Sequence, residues 1–229
     1  KKTTSSSAPA TAKTDGKDEK EPKPKKGKKP KKQIELESEQ VAQVDSKDMS
    51  YAVWQQLLAR LTHHLNRDEV QGVVITHGTD TLEDTAFFLQ TVLRPTKPVA
   101  MTCAMFPANV PQSDGPQNLQ EALNWVLQTH DLGVYLVCAG EVHFGVGVQK
   151  IFSDRSQAFA SRDEQSGCGK TSMPPIDWSM PSVAQVLSTK HWPRVELIYN
   201  HSGADGQLVR TLLKANADGK TDAPSGSNQ

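Results

Sequence analysis

The stretch Gly72–Leu89, GVVITHGTDTLEDTAFFL, limits what this chain can fold into more than any other part of it. An apolar run, Val73 to Thr76, stops at a cluster of hydroxyls and one carboxylate. Apolar residues then return at helical spacing as Leu82, Ala86, Leu89 and Leu93. The pattern is that of a strand delivering Thr79 and Asp80 to its carboxyl end, followed by a helix over Thr81–Leu93. Open parallel sheets bind ligands in the crevice outside such strand ends, so a hydroxyl beside an ionisable group is of chemical interest here.

The same alternation extends in both directions. VAQVDS (Val41 to Ser46) reads as a short strand, and Val53, Leu57, Leu58, Leu61 and Leu65 recur at helical spacing up to Asn66. Pro98–Cys103 is the next strand, and Ser113-Asp114-Gly115-Pro116 supplies a cap and an early-turn proline for a helix through Gln128. Gly133–Gly140, GVYLVCAG, and Arg194–Asn200, RVELIYN, are further buried-looking runs, the last leading into a helix from about Asp205 to Lys214. Runs that are apolar at consecutive positions suit strands covered on both faces. They predict an α/β fold of three layers, a mostly parallel sheet with helices on both sides. From Phe152 to Pro193 the periodicity fades into Gly, Ser, Pro and Met, as in a linker or irregular region.

Charge is divided unevenly. Residues 1–32 carry 12 Lys against 4 acids, a net of +8, whereas residues 33–229 carry 14 Lys and Arg against 22 acids, a net of −8. The basic segment contains no Val, Ile, Leu, Phe, Tyr or Trp, so burial cannot offset the entropy of ordering it, and it is expected to be disordered. Such a segment either binds polyanions by counterion release or serves as a solvated extension, and both readings stay open. No apolar run approaches the roughly 18 residues of a membrane span, and no signal-peptide core is visible, so no membrane partner is expected. The cytoplasm is the expected compartment, or the periplasm if a leader has been removed.

Three cysteines, Cys103, Cys138 and Cys168, lie far apart, which argues against a disulfide framework and a zinc site. Cys103 and Cys138 read as small core residues. SGCGKTS (Ser166 to Ser172) lacks the first glycine of a phosphate loop, since Glu164 stands there and no apolar strand precedes it. The sequon Asn200-His201-Ser202 reads as chance, and His77 as a residue that structures its turn. On chemistry alone Thr79 and Asp80 have two readings: caps for the following helix, or a nucleophile with the acid that holds its base. Ser46 and Asp48 likewise read as caps for the helix beginning near Tyr51, or as groups that hold a carboxylate and an ammonium.

ITHGTDTLEDTAFFL resembles the signature of bacterial L-asparaginases and glutaminase-asparaginases, in which a His-Gly-Thr-Asp-Thr segment opens an acidic, Thr/Ala-rich helix start. Further segments match in the same order: QVAQVDSKDMSYAVW, KPVAMTCAMFPANVPQSDGPQNLQEAL, VYLVCAGEVHFGVGVQKIFSDRSQAF and RVELIYNHSGADGQLVRTLL. The resemblance implies a Thr-Lys-Asp catalytic set of Thr79, Lys150 and Asp80, Lys150 falling in VQK where relatives have a lysine after Val-Thr. It implies that Ser46 and Asp48 bind the substrate's α-carboxylate and α-amino group. The implied reaction is hydrolysis of L-asparagine to aspartate and ammonia, with L-glutamine as a second substrate, through an acyl-enzyme and without metal or cofactor. A homo-oligomer is implied too.

The chain also departs from the family. The glycine-rich Thr-Gly-Gly-Thr segment that supplies the family's other threonine is absent, and Thr3 and Thr4 lack its glycines. Phe106 stands where an arginine is usual, and the family's later Gly-rich Asn segment is not reached after Lys214. The expected organisation is a disordered Lys-rich tail (1–33), an asparaginase-like α/β domain lacking its first strand (34–160), an irregular linker (161–193), a remnant of a second α/β domain (194–215) and a disordered tail (216–229). The alternative function is that of a truncated, inactive relative that binds at most a small amino acid.

Overall fold

A computed structural model describes residues 34–161 and 180–217; the Lys-rich segment, the tail from 218 onward, Cys168 and the SGCGKTS stretch lie outside the described residues. The chain falls into two units, Lys1–Glu39 and Gln40–Gln229. Of the first, residues 34–39 have no regular secondary structure. The second holds helices α1 (Tyr51–Leu65), α2 (Leu82–Leu93), α3 (Gly115–Gln128), α4 (Val183–Ser188) and α5 (Gln207–Ala217). Its strands are β1 (Val73–Thr76), β2 (Pro98–Thr102), β3 (Gly133–Cys138), β4 (Glu141–Phe144), β5 (Val148–Lys150) and β6 (Phe159–Ser161).

One sheet has the order β1-β2-β3-β4, parallel from β1 to β3 and antiparallel at β4. Residues alternate across its plane as the two-residue period of a strand demands. Val73, Ile75, Val99, Met101, Val134 and Leu136 join the core built by α1 and α2, while Val74, Ala100 and Val137 face Ala122 and Val126 of α3. Helices therefore cover both faces, and the three-layer α/β expectation holds. Leu58, Leu82, Leu89, Met101 and Leu136 are fully buried, and burial of each such side chain contributes about 1.5–3 kcal/mol. The α1 stripe read from sequence is buried at Leu57, Leu58, Leu61 and Leu65, with Ser50 capping the helix through the Val53 N–H.

The β3–β4 hairpin, absent from the sequence reading, turns on Ala139 and Gly140, both at positive φ (51° and 79°). That pairing of conformations suits the twist of a two-residue hairpin. Asn118, almost wholly buried, stabilises it by accepting from the Ala139 N–H (2.9 Å) while donating to the Cys103 carbonyl (2.9 Å). The carboxyl ends of β2 and β3 are thereby tied to α3. Asp114 sits at the start of α3 as expected, but its carboxylate accepts from the Met105 and Phe106 N–H groups instead of capping the helix. After β4 the chain forms a second, two-stranded antiparallel sheet of β5 and β6, with Lys150 opposite Phe159.

Two expected strands are not formed. Val41–Ser46 is irregular and ends in a single 3₁₀ turn, Ser46–Asp48, because the Asp45 side chain accepts from the Lys47 N–H and closes the chain locally. Arg194–Asn200 has no pairing partner among the described residues. Val195, Leu197 and Tyr199 stand 76%, 78% and 80% exposed. An apolar run becomes a strand only by pairing its backbone with another strand, and among the described residues this run pairs with none. Within the stretch expected to be irregular, α4 carries a capping box of Ser182 and Gln185 and buries Val186 in the main core. Gln55 of α1 donates to the carbonyls of Val186 and Thr189, and Trp192 stacks on Tyr51 at 4.4 Å.

Candidate active site

β1 ends at Thr76, yet its pairing continues one residue further, since the His77 N–H donates to the Thr102 carbonyl (2.9 Å). The chain must then turn sharply to start α2, and Gly78 is the residue that permits it. A Cβ there would meet the Ser46 Oγ at 2.5 Å and the Ser46 Cβ at 2.8 Å, so only glycine lets the two loops touch. Ser46 fixes the far side of the turn: its Oγ accepts from the Asp80 N–H (3.1 Å), and its carbonyl accepts from the Thr81 hydroxyl (2.6 Å). Thr81 occupies the helix N-cap position but makes no side-chain cap bond, because its hydroxyl is given to Ser46.

The capping reading of Thr79 and Asp80 is thus not realised. Their side chains meet Lys150 instead, which arrives from the end of β5 and lies 71 positions from Thr79. Lys150 Nζ donates to Thr79 Oγ1 at 2.7 Å and to Asp80 Oδ1 at 2.9 Å. The ammonium is largely shielded, with 21% of the Lys150 side chain exposed against 53% for Asp80. The bond to Thr79 is partly buried and the bond to Asp80 open to water, and a hydroxyl, an amine and a carboxylate converge on one point.

Asp48 also lies in the loop that precedes α1, exposed and paired with Lys47 (3.1 Å), which in turn holds Asp45 (2.7 Å). The cap of α1 is Ser50, so neither Ser46 nor Asp48 caps that helix. Cys103 and Cys138 are buried and free, as small core residues are. The Cys138 thiol is pushed well up, first by its hydrogen bond with Cys103 and then by burial, the opposite of what a nucleophilic cysteine requires.

Sequence reasoning missed two supporting residues. Glu83, in the first turn of α2, accepts the Lys150 backbone N–H and so clamps the strand end that carries the amine. Thr85, one turn into α2 and fully buried, links Trp54 to His77. Both contacts join residues distant in sequence, and no periodicity encodes them.

His77 donates from Nδ1 to the Gly78 carbonyl (2.7 Å). Burial pushes its imidazole below the ordinary value, an effect only partly opposed by the Gly78 bond. The unfolded chain therefore takes up this proton at a higher pH than the folded one. The stability of the neutral ring is complete above the unfolded value, about 6.5, and is lost as the pH falls through the lower folded value. We expect the melting temperature to drop more between pH 7 and pH 5 in the wild type than in His77→Gln, a difference that thermal scans measure directly.

The sequence profile described as "Asparaginase, N-terminal" matches residues 4–171. The chain belongs to the asparaginase family. Among asparaginase relatives, the L-asparaginase 2 of Escherichia coli (strain K12) is 30% identical over 202 residues, covering 84% of this chain and 57% of the relative. The glutaminase-asparaginase of Pseudomonas fluorescens biotype A is 31% identical over 201 residues, covering 84% and 55%. This member of the family spans about half the length of the curated relatives it matches. The crystal structure of a probable cytoplasmic L-asparaginase from Campylobacter jejuni superposes with a TM-score of 0.52 at 37% identity, covering 54% of this chain and 40% of that one. The names of relatives span two compartments, one from Haemophilus influenzae being a probable periplasmic L-asparaginase. No helix among the described residues is long and apolar enough to cross a membrane.

Proposed function

We propose that this chain carries an L-asparagine amidohydrolase site in which Thr79 is the nucleophile, Lys150 its base and Asp80 the group that holds the lysine. The observation that carries this reading is the contact of one lysine Nζ with both the Thr79 hydroxyl (2.7 Å) and the Asp80 carboxylate (2.9 Å) at a strand carboxyl end. Family membership supports the reaction class.

Lys150 Nζ accepts the Thr79 proton while Oγ1 attacks the carboxamide carbon of the substrate. The tetrahedral intermediate collapses, the C–N bond breaks, and the proton passes from Lys150 to the departing nitrogen, releasing ammonia. Water then attacks the resulting ester and gives a proton to Lys150; the bond from the acyl carbon to Thr79 Oγ1 breaks, Lys150 returns the proton to Oγ1, and aspartate leaves. Asp80 stabilises the lysine each time it is charged, and backbone N–H groups stabilise the oxyanion. Ser46 donates to the substrate's α-carboxylate and Asp48 pairs with its α-ammonium, which accounts for selection of amino-acid amides. Glutamine is one methylene longer, a difference worth only about 1–3 kcal/mol in such a pocket.

The test is ammonia release from asparagine by the purified chain. We expect at least roughly 100-fold more than from Thr79→Ala, the scale of a lost catalytic group. Equal release from the two proteins would reject the reading. If calorimetry then detected aspartate binding, the inactive, ligand-binding alternative would take its place.

A further inference from the structure

Threonines within helices ordinarily give their hydroxyl hydrogen to the carbonyl one turn back. Thr62, Thr91 and Thr211 do so here, bonding Leu58, Phe87 and Gln207 at 2.7, 2.9 and 2.9 Å. Thr85 is different. Its Oγ1 accepts from the Trp54 indole N–H at 2.9 Å and lies 3.1 Å from His77 Nε2, and His77 Nδ1 lies 2.7 Å from the Gly78 carbonyl.

The ends of this chain of bonds fix every hydrogen in it. An indole nitrogen only donates and a carbonyl only accepts. His77 must therefore carry its hydrogen on Nδ1, and the neutral ring presents a lone pair at Nε2. The Thr85 hydroxyl, accepting from Trp54, has its own hydrogen left to give, and Nε2 receives it. Trp54 is itself fixed, stacked on Phe88 at 4.9 Å and 12°, and Thr85 is wholly buried, so water offers no substitute partner.

We propose that Thr85 is a positioning residue of the amide-cleaving site: it locks His77 as the Nδ1–H tautomer, and His77 thereby holds the Gly78 carbonyl and the peptide that carries Thr79. The Gly78 carbonyl and the Thr79 N–H share one planar peptide, so holding the carbonyl fixes the plane from which the Thr79 backbone departs. The proposal rests on the reading of Thr79 as nucleophile. Burial, which lowers the His77 pKa, favours the neutral ring that the lock requires.

Nitrogen-15 spectra of the full chain, with His77 identified among the seven histidines by the signals lost in His77→Gln, test the lock without any need for turnover. The wild type is expected to show a single Nδ1–H ring. Thr85→Val, which keeps the shape and removes the hydroxyl, leaves Nε2 without its partner and the ring free to turn away from the Gly78 carbonyl, so it is expected to mix the two tautomers and to lower kcat roughly 10- to 100-fold, the scale of a small misplacement of a reacting group. KM should change little, and Thr85→Ser should restore both the single tautomer and the turnover.

A wild-type ring protonated on Nε2 overturns the proposal before any variant is made. So does a Thr85→Val ring that keeps its single form, or one that loses it with kcat unchanged. A wild type with the locked ring but no ammonia release contradicts the functional reading, and with it the positioning role, while leaving the assignment of the tautomer standing.

Discussion

Lys150→Met is expected to fold normally and to lose roughly 10²- to 10⁴-fold in asparagine turnover, the range that general-base removal produces. Methionine matches the stem of lysine in length and flexibility, and the Lys150 backbone N–H keeps its Glu83 partner, so the end of β5 stays in place. What disappears is the amine at 2.7 Å from the Thr79 hydroxyl. Asp80 is left without that partner but is 53% exposed and readily hydrated, so the stability change is held to about 1 kcal/mol or less. Lys150→Arg separates the two ways in which a cation could act. A guanidinium preserves the positive charge and the bond to Asp80, yet it does not release its proton in proteins and cannot serve as a base. If Lys150 is the base, arginine fails as badly as methionine. If it acts only through its charge, arginine recovers much of the rate. Steady-state ammonia assays on the three proteins, beside their thermal melts, decide between these outcomes.

Gly78→Ala is expected to lower both stability and activity, the first by about 1–3 kcal/mol as overpacking does. The added methyl would lie 2.5 Å from Ser46 Oγ and 2.8 Å from Ser46 Cβ. Ser46 cannot simply withdraw, because it is buried and bonded to both the Asp80 N–H and the Thr81 hydroxyl. Relief of the clash must open the loop that carries Thr79 away from the loop that carries Ser46. A double-mutant cycle with Ser46→Gly isolates this contact. Removing the serine side chain should return part of the lost stability in the Gly78→Ala background, whereas in the native background it should only destabilise. Activity should not return, since the serine hydroxyl proposed to hold the substrate's carboxylate is then missing as well. Denaturant midpoints and kcat/KM for the four proteins measure both expectations.

Those features written as periodic apolar patterns were legible in the sequence. β1, β2 and β3 lie where consecutive apolar residues announce strands covered on two faces, and the Leu57, Leu58, Leu61 and Leu65 stripe of α1 is buried as read. Patterning failed where an apolar run pairs with no strand among the described residues. RVELIYN has the composition of a strand, but composition states a capacity for burial and says nothing of a partner. Asp45 could equally be read into a strand or a turn, and its side-chain bond to the Lys47 N–H decided for the turn.

The candidate site divides along the same line. Thr79 and Asp80 were visible as polar residues terminating an apolar strand, whereas Lys150 was singled out only through its match to a family motif. Glu83 and Thr85 lie within the family-like motif, but nothing in it singled out their roles, since each makes a side-chain bond to a distant element and such bonds follow no repeat.

Trapping the covalent intermediate addresses the chemistry at its centre. The chain is mixed with asparagine, quenched in acid within the first turnover, and its proteolytic peptides are weighed by mass spectrometry. The account predicts an aspartyl ester on the peptide that contains Thr79, absent from Lys150→Met. An ester on another residue, or ammonia released at the wild-type rate with Thr79 never acylated, would contradict it.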